Sequence, residues 1–161
     1  MPLLRRKAPR GSFEIVIQNR QTRTRISLAK LRRLTCAILR KLGWKWIGLS
    51  LVVVSDAQIR KLHYQFLKKN EPTDVLAFGK EEGLFLGDVV ISIDAAKRQA
   101  PRFGKRWDEE LLLYVCHGIL HLMGWQDSTA AQKKRMDRKQ EAVLKKVLGR
   151  KWLSKKQKLL F

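Results

Sequence analysis

The period of the hydrophobic pattern switches several times along the chain, and each switch marks an element. SFEIVIQ (residues 12–18) alternates and is rich in β-branched residues, as a half-buried strand does. In SLAKLRRLTCAILRKLG (27–43), Leu28, Leu31, Leu34, Ile38 and Leu42 recur every three to four residues. This predicts an amphipathic helix with Ser27 as its N-cap and Gly43 as its stop. The polar face carries Lys30, Arg32, Arg33, Arg40 and Lys41. GLSLVVVS (48–55) is a short apolar strand. SDAQIRKLHYQFLKK (55–69) is a helix capped by Ser55 or Asp56, with Ile59, Leu62 and Phe66 facing inward and His63 in solvent.

PTDVLAF (72–78) and GDVVISI (87–93) are strands, with GKEEG as a turn or short loop between them. Asp94 is the expected cap of AAKRQA, which Pro101 and Gly104 end. WDEELLLYVCHGILHLMG (107–124) opens with three acids, which suit the positive end of a helix dipole. It is then apolar nearly all round, the pattern of a helix buried in the core. STAAQKKRMDRKQEAVLKKVLG (128–149) is amphipathic again, with Met136, Val143 and Val147 inward. Strands and helices in this order fit one α+β domain with a small mixed sheet.

Charge sharpens the picture. The net charge of +21 is concentrated at the flanks: residues 1–50 hold thirteen Lys/Arg against one acid, and residues 131–161 hold twelve against two. The middle is about neutral. So large a cationic excess points to an anionic partner, nucleic acid ahead of a membrane surface. No apolar run reaches the roughly 20 residues of a membrane span. The basic start MPLLRRKAPRGSF lacks the apolar stretch of a secretory signal. Two cysteines, Cys36 and Cys116, cannot make a disulfide framework and read as small buried hydrophobes. A cytoplasmic protein is expected.

The candidate chemistry lies in HGILHLMGWQD. His117 and His121 stand four residues apart, so a helix points both rings at one spot. Gly124 can take a left-handed conformation, end the helix and let Asp127 return as a third ligand. Two imidazoles and a carboxylate suit zinc, with a fourth position for water. The same spacing also fits two hydrogen-bonded core histidines, and the residues alone leave both readings open. Zinc peptidases place a general-base glutamate after the first histidine. Here that position is Gly118, so a peptidase mechanism lacks its proton acceptor.

HGILHLMGWQD resembles the H-G-x-L-H-L-x-G-[YW]-D-H signature of the YbeY proteins, bacterial metal-dependent endoribonucleases of ribosomal RNA maturation and ribosome quality control. PTDVLAF and LGDVVIS (86–92) are similar to that family's P-T-D-V-L-S-F and L-G-D-I-x-I-S strands, and Met136 and Glu141 match its last helix. The resemblance implies about four strands packed with about five helices over residues 13–149. Basic ends, 1–12 and 150–161, lie outside it. It also implies one Zn2+ per chain held by His117, His121 and Asp127. The metal-bound water would do the chemistry, and no side-chain base is assigned.

Two departures stand out. The family's third histidine falls on Asp127, and its arginine before the P-T-D strand falls on Leu67, with Lys68 and Lys69 following. Asp74 and Asp88 match family positions and read as hydrogen-bond acceptors at strand ends.

The function expected is a single-strand-specific endoribonuclease acting at the 3′ end of 16S ribosomal RNA. Lys68, Lys69, Arg32 and Arg33 are the candidate RNA contacts. The expected partners are ribosomal RNA and the small ribosomal subunit, without membrane or small-molecule cofactor, for a monomeric protein. The alternative is a weakly catalytic or non-catalytic assembly factor that binds ribosomal RNA and keeps a structural metal.

Overall fold

The computed structural model describes residues 12–80 and 83–149. The strands are β1 (Glu14–Asn19), β2 (Gly48–Val54), β3 (Val75–Gly79) and β4 (Phe85–Ser92). The helices are α1 (Leu28–Lys41), α2 (Asp56–Leu67), α3 (Ile93–Gln99), α4 (Trp107–Leu122) and α5 (Ala130–Leu148), with a 3-10 turn at Ala100–Phe103. The strands form one mixed sheet in the order β1-β2-β4-β3, in which β1, β2 and β4 are parallel and β3 runs antiparallel to β4. This is the α+β architecture expected. Of the basic ends, residues 1–11 and 150–161 lie outside the described residues, as does the Glu81–Glu82 part of the GKEEG turn. Among the described residues no helix is long and apolar enough to cross a membrane.

Alternation along the central strands sorts the core into two layers. Leu49, Leu51 and Val53 of β2, with Val89 and Ile91 of β4, face the main cluster with Ile38, Leu39, Val115, Ile119 and Leu144. Val54, Leu76 and Val90 face the other way, onto Ile59 of α2. Strands β2 and β4 are thus covered on both faces, as their nearly continuous apolar runs require.

The helix ends follow their capping residues. The hydroxyls of Ser27, Ser55 and Thr129 accept from the backbone N–H three residues on. Gly43 and Gly124 take positive φ, 93° and 94°, and close Schellman turns: the N–H groups of Trp44 and Trp125 donate to Leu39 O and Leu120 O, each at 3.0 Å.

Several expectations are corrected. Helix α3 is capped by the Ser92 hydroxyl, because the strand runs straight into the helix there; Asp94 sits in the first turn and accepts from the Asp56 N–H at 2.8 Å. Leu28 is 37% exposed and lies outside the core, and Thr35 and Leu39 complete the buried stripe of α1. Phe66 is 57% exposed; it lies at the end of α2 and meets the Phe78 ring at a 5.0 Å centroid distance instead of entering the core. His63 is buried at 7% exposure. After α2 the chain reverses through Lys68 in the left-handed region, and the returning Glu71 carbonyl lies 2.8 Å from His63 Nδ1. The ring clamps the loop that leads into β3.

Helix α4 lies against the sheet at Gly118. A Cβ there would sit 2.5 Å from Val89 Cγ1 and 3.3 Å from Val75 Cγ2. At its first turn, Lys105 and Glu110 form a buried pair at 3.6 Å, with side chains 1% and 4% exposed.

Gly118→Ala forces that close contact. It is expected to destabilise the fold by about 1–2 kcal/mol even after alanine's helix preference, with part recovered by Val89→Ala, read from urea unfolding. Lys105→Met takes the ammonium away from a buried carboxylate and is expected to cost about 3 kcal/mol, whereas Lys105→Met with Glu110→Leu returns most of it; thermal melts of the three proteins check this.

Candidate metal centre

The Schellman turn at Gly124 builds the site. It ends α4 one residue past the second histidine and folds the chain back, so that Trp125 and Asp127 return beside the rings. The Trp125 carbonyl then lies 2.9 Å from His121 Nδ1. From α5, the Gln140 Oε1 lies 3.0 Å from His117 Nδ1, while the Gln140 amide nitrogen faces Asp137 Oδ1 at 3.4 Å. Both partners of the rings are acceptors only, so both Nδ1 atoms carry the proton and donate. The Nε2 lone pairs are left bare, and they converge.

The two Nε2 atoms lie 2.9 Å apart, and Asp127 Oδ2 lies 3.2 Å and 3.3 Å from them. His117, His121 and Asp127 thus form the group of the described residues able to hold a metal ion. The donor set fits one. A tetrahedral zinc with bonds of about 2.0–2.1 Å has donor–donor edges of roughly 3.3 Å, close to the two carboxylate edges here. Two lone pairs and a carboxylate oxygen pointed at one point repel one another, and a cation among them removes the repulsion. Burial holds the His117 pKa below the ordinary histidine value, and the neighbouring His121 lowers it further, against the pull of Asp127 and Gln140. A neutral imidazole is the form that ligates. Behind His117, burial pushes the Cys116 thiol up to about 12, which leaves it an inert core side chain.

The other candidates are dispersed. Lys68 and Lys69 follow the end of α2 on one side of the sheet, where the Lys68 ammonium lies 5.7 Å from the Tyr64 ring centroid. Arg32 and Arg33 are exposed on α1, which packs on β1, α4 and α5; the Arg32 guanidinium donates to the Ile15 carbonyl. Helix α1 packs on the main core side of the sheet and α2 on the other, so the sheet separates Arg32 and Arg33 from Lys68 and Lys69. Leu67 is exposed at the end of α2. Asp88 pairs with Lys80 at 3.6 Å, and Asp74 accepts weakly from Thr73 at 3.4 Å. Gly118 faces Val89 and Val75 of the sheet, so its position could not present a carboxylate to the metal without unpacking α4.

Gln140 was missed in the sequence reading. Its signal was there: a polar residue at the buried face of α5, four after Met136 and three before Val143. The Trp125 carbonyl left no side-chain signal at all.

Set beside known proteins, the chain falls among nucleases, a class of hydrolase. The chain belongs to the endoribonuclease YbeY family, whose sequence model, described as Endoribonuclease YbeY, matches residues 16–148. It is similar to the "Endoribonuclease YbeY" of Geobacter metallireducens, 36% identical over 140 residues that cover 81% of this chain and 93% of that one. The protein of the same description from Anaeromyxobacter dehalogenans is 41% identical over 124 residues, 74% of this chain and 64% of that one. The solution structure of a Thermotoga maritima protein matches with a TM-score of 0.58 and 28% identity, over 87% of this chain and 92% of that chain.

Gln140→Ala removes the acceptor that fixes the His117 ring. It is expected to weaken zinc binding by about 10- to 100-fold with little change in the circular dichroism of the fold, measured by competition with a chromogenic chelator.

Proposed function

We propose that this protein is a single-strand-specific, zinc-dependent endoribonuclease that matures the 3′ end of 16S ribosomal RNA and serves ribosome quality control. The observation that carries the reading is the meeting of His117 Nε2, His121 Nε2 and Asp127 Oδ2 within 3.3 Å of one another. Membership of the endoribonuclease YbeY family supplies RNA as the substrate. The ribosomal small subunit as partner, a cytoplasmic location and a monomeric state belong to the same reading.

His117, His121 and Asp127 would hold the ion, and Gln140 and the Trp125 carbonyl keep the two rings turned toward it. When bound, zinc supplies an acidified water and a positive charge for the phosphodiester oxygens. The chain's part is positional: it fixes two neutral donors and one anionic donor, and leaves one side of the set open to substrate. Asp127 gives the centre a carboxylate where the family resemblance places a third histidine. That carboxylate would make a bound cation a weaker Lewis acid than three neutral imidazoles would. The chain's excess of cations draws the RNA backbone to the surface in a salt-dependent manner.

A second reading has its own support. Leu67 stands where the resemblance places an arginine, and the position after His117 holds no base. These favour an assembly factor that binds ribosomal RNA, cleaves weakly or not at all, and keeps a structural metal.

Cleavage of a labelled single-stranded RNA by the purified protein separates the two. On the enzyme reading, chelation, His117→Ala and Asp127→Ala each lower cleavage by roughly 100-fold or more, zinc restores only the chelated wild type, and a duplex of the same sequence is spared. Equal cleavage in all samples defeats it. RNA binding with no cleavage in any sample selects the assembly factor.

A further inference from the structure

Helix α5 starts three residues after Asp127 and its first twelve residues are strongly cationic: Lys133, Lys134, Arg135, Arg138 and Lys139 stand against Asp137 and Glu141. Lys133 is held by Asp137 at 3.1 Å. Arg135 and Lys139 behave differently. They are four residues apart, on one face of the helix. The Arg135 guanidinium carbon and the Lys139 ammonium each lie 6.0 Å from the centroid of the Trp125 indole, and neither makes an ion pair among the described residues.

Both cations therefore sit on the frame that orients the histidines. Trp125 is the residue whose carbonyl holds the His121 ring, and Lys139 directly precedes Gln140, which holds the His117 ring. Beside the indole opens a cavity of about 350 Å3, lined by Met123, Gly124, Trp125, Gln126, Gln132 and Arg135. That volume is within the range of ligand pockets. Its walls carry two side-chain amides, joined by a 3.0 Å bond from Gln132 Nε2 to Gln126 Oε1; Gln132 Oε1 already accepts from the Ser128 hydroxyl and the Thr129 N–H, which leaves the second Gln132 N–H, the Gln126 amide N–H groups and one lone pair of Gln126 Oε1 for a base edge. Two cations one helical turn apart, loosely stacked on an aromatic ring and next to an amide-lined hollow, match what a single-stranded nucleic acid offers: phosphates and an unpaired base.

We propose that Arg135 and Lys139, with the cavity beside Trp125, form the subsite for the nucleotide that flanks the scissile phosphodiester. The two cations grip its backbone phosphates, and Gln126 and Gln132 meet its base. This rests on the endoribonuclease reading and names where its substrate lies.

The full-length protein is titrated onto a fluorescein-labelled oligouridylate of about twelve nucleotides, and anisotropy is read across a potassium chloride series. Arg135→Gln with Lys139→Gln is expected to weaken binding at every salt concentration. It should also reduce the slope of log affinity on log salt by about 1.4, the loss of two phosphate contacts on a single strand. Lys41→Gln with Lys61→Gln, two exposed cations removed elsewhere, leaves the slope within about 0.3 of wild type if the effect is local. Zinc affinity of the Arg135/Lys139 variant stays at the wild-type value, which a merely structural role for the pair would not allow.

An unchanged slope in the Arg135/Lys139 variant overturns the proposal. So does a slope lost equally in the Lys41/Lys61 control, or a loss of binding to phosphatidylserine vesicles with RNA binding intact. Cleavage that persists under chelation, together with a reduced slope, sinks the zinc-enzyme reading while supporting the subsite.

Discussion

The aim of the histidines depends on how near α4 lies to the sheet. Gly118 gives α4 no side chain on its sheet-facing side at that turn, so Val89 and Val75 take the space a methyl group would fill. The close seat fixes the rotation of α4 about its axis. With Gly118 facing the sheet, His117 and His121 face the return loop and α5, where the Trp125 carbonyl and Gln140 wait for them. A helix raised by one side chain would carry both rings with it and break the match to those fixed acceptors. The same glycine separates this centre from zinc peptidases, because the packing that positions the ligands uses the place where the peptidase base would stand.

Periodicity made most of the fold legible. The strand at 12–18 and the helix at 27–43 reappear as Glu14–Asn19 and Leu28–Lys41, with the Ser27 cap and the Gly43 stop where the sequence put them. The pattern failed where a neighbour distant in sequence decides. His63 carries no sign that Glu71 folds back over it, and Phe66 has the spacing of a core residue but lies beyond the edge of what α2 covers. Asp94 is the cap expected from the sequence, yet the hydroxyl of Ser92 at the strand's end takes that role.

In the site, the ligand types and spacings were legible because helix geometry fixes them: four residues bring two rings together, and a glycine turn brings the third group back. What stayed hidden was the outer support. A backbone carbonyl leaves no mark in a sequence, and Gln140 becomes meaningful only when α5 is known to pack beside α4. Charge was legible as a total and not as a pattern. The flanks hold the excess, but the cations at Lys68–Lys69 and Arg32–Arg33 lie on elements that the sheet keeps apart, whereas Arg135 and Lys139 both lie 6.0 Å from the indole of Trp125, the residue whose carbonyl faces His121.

The Lys105–Glu110 pair at the base of α4 bears on how such a chain can drift over generations. Each partner, changed alone, takes the opposite charge away from a buried group, so either first step lowers the population of folded molecules. Exchange of the pair is therefore easiest when both positions change in one step, and hardest through either single-charge intermediate.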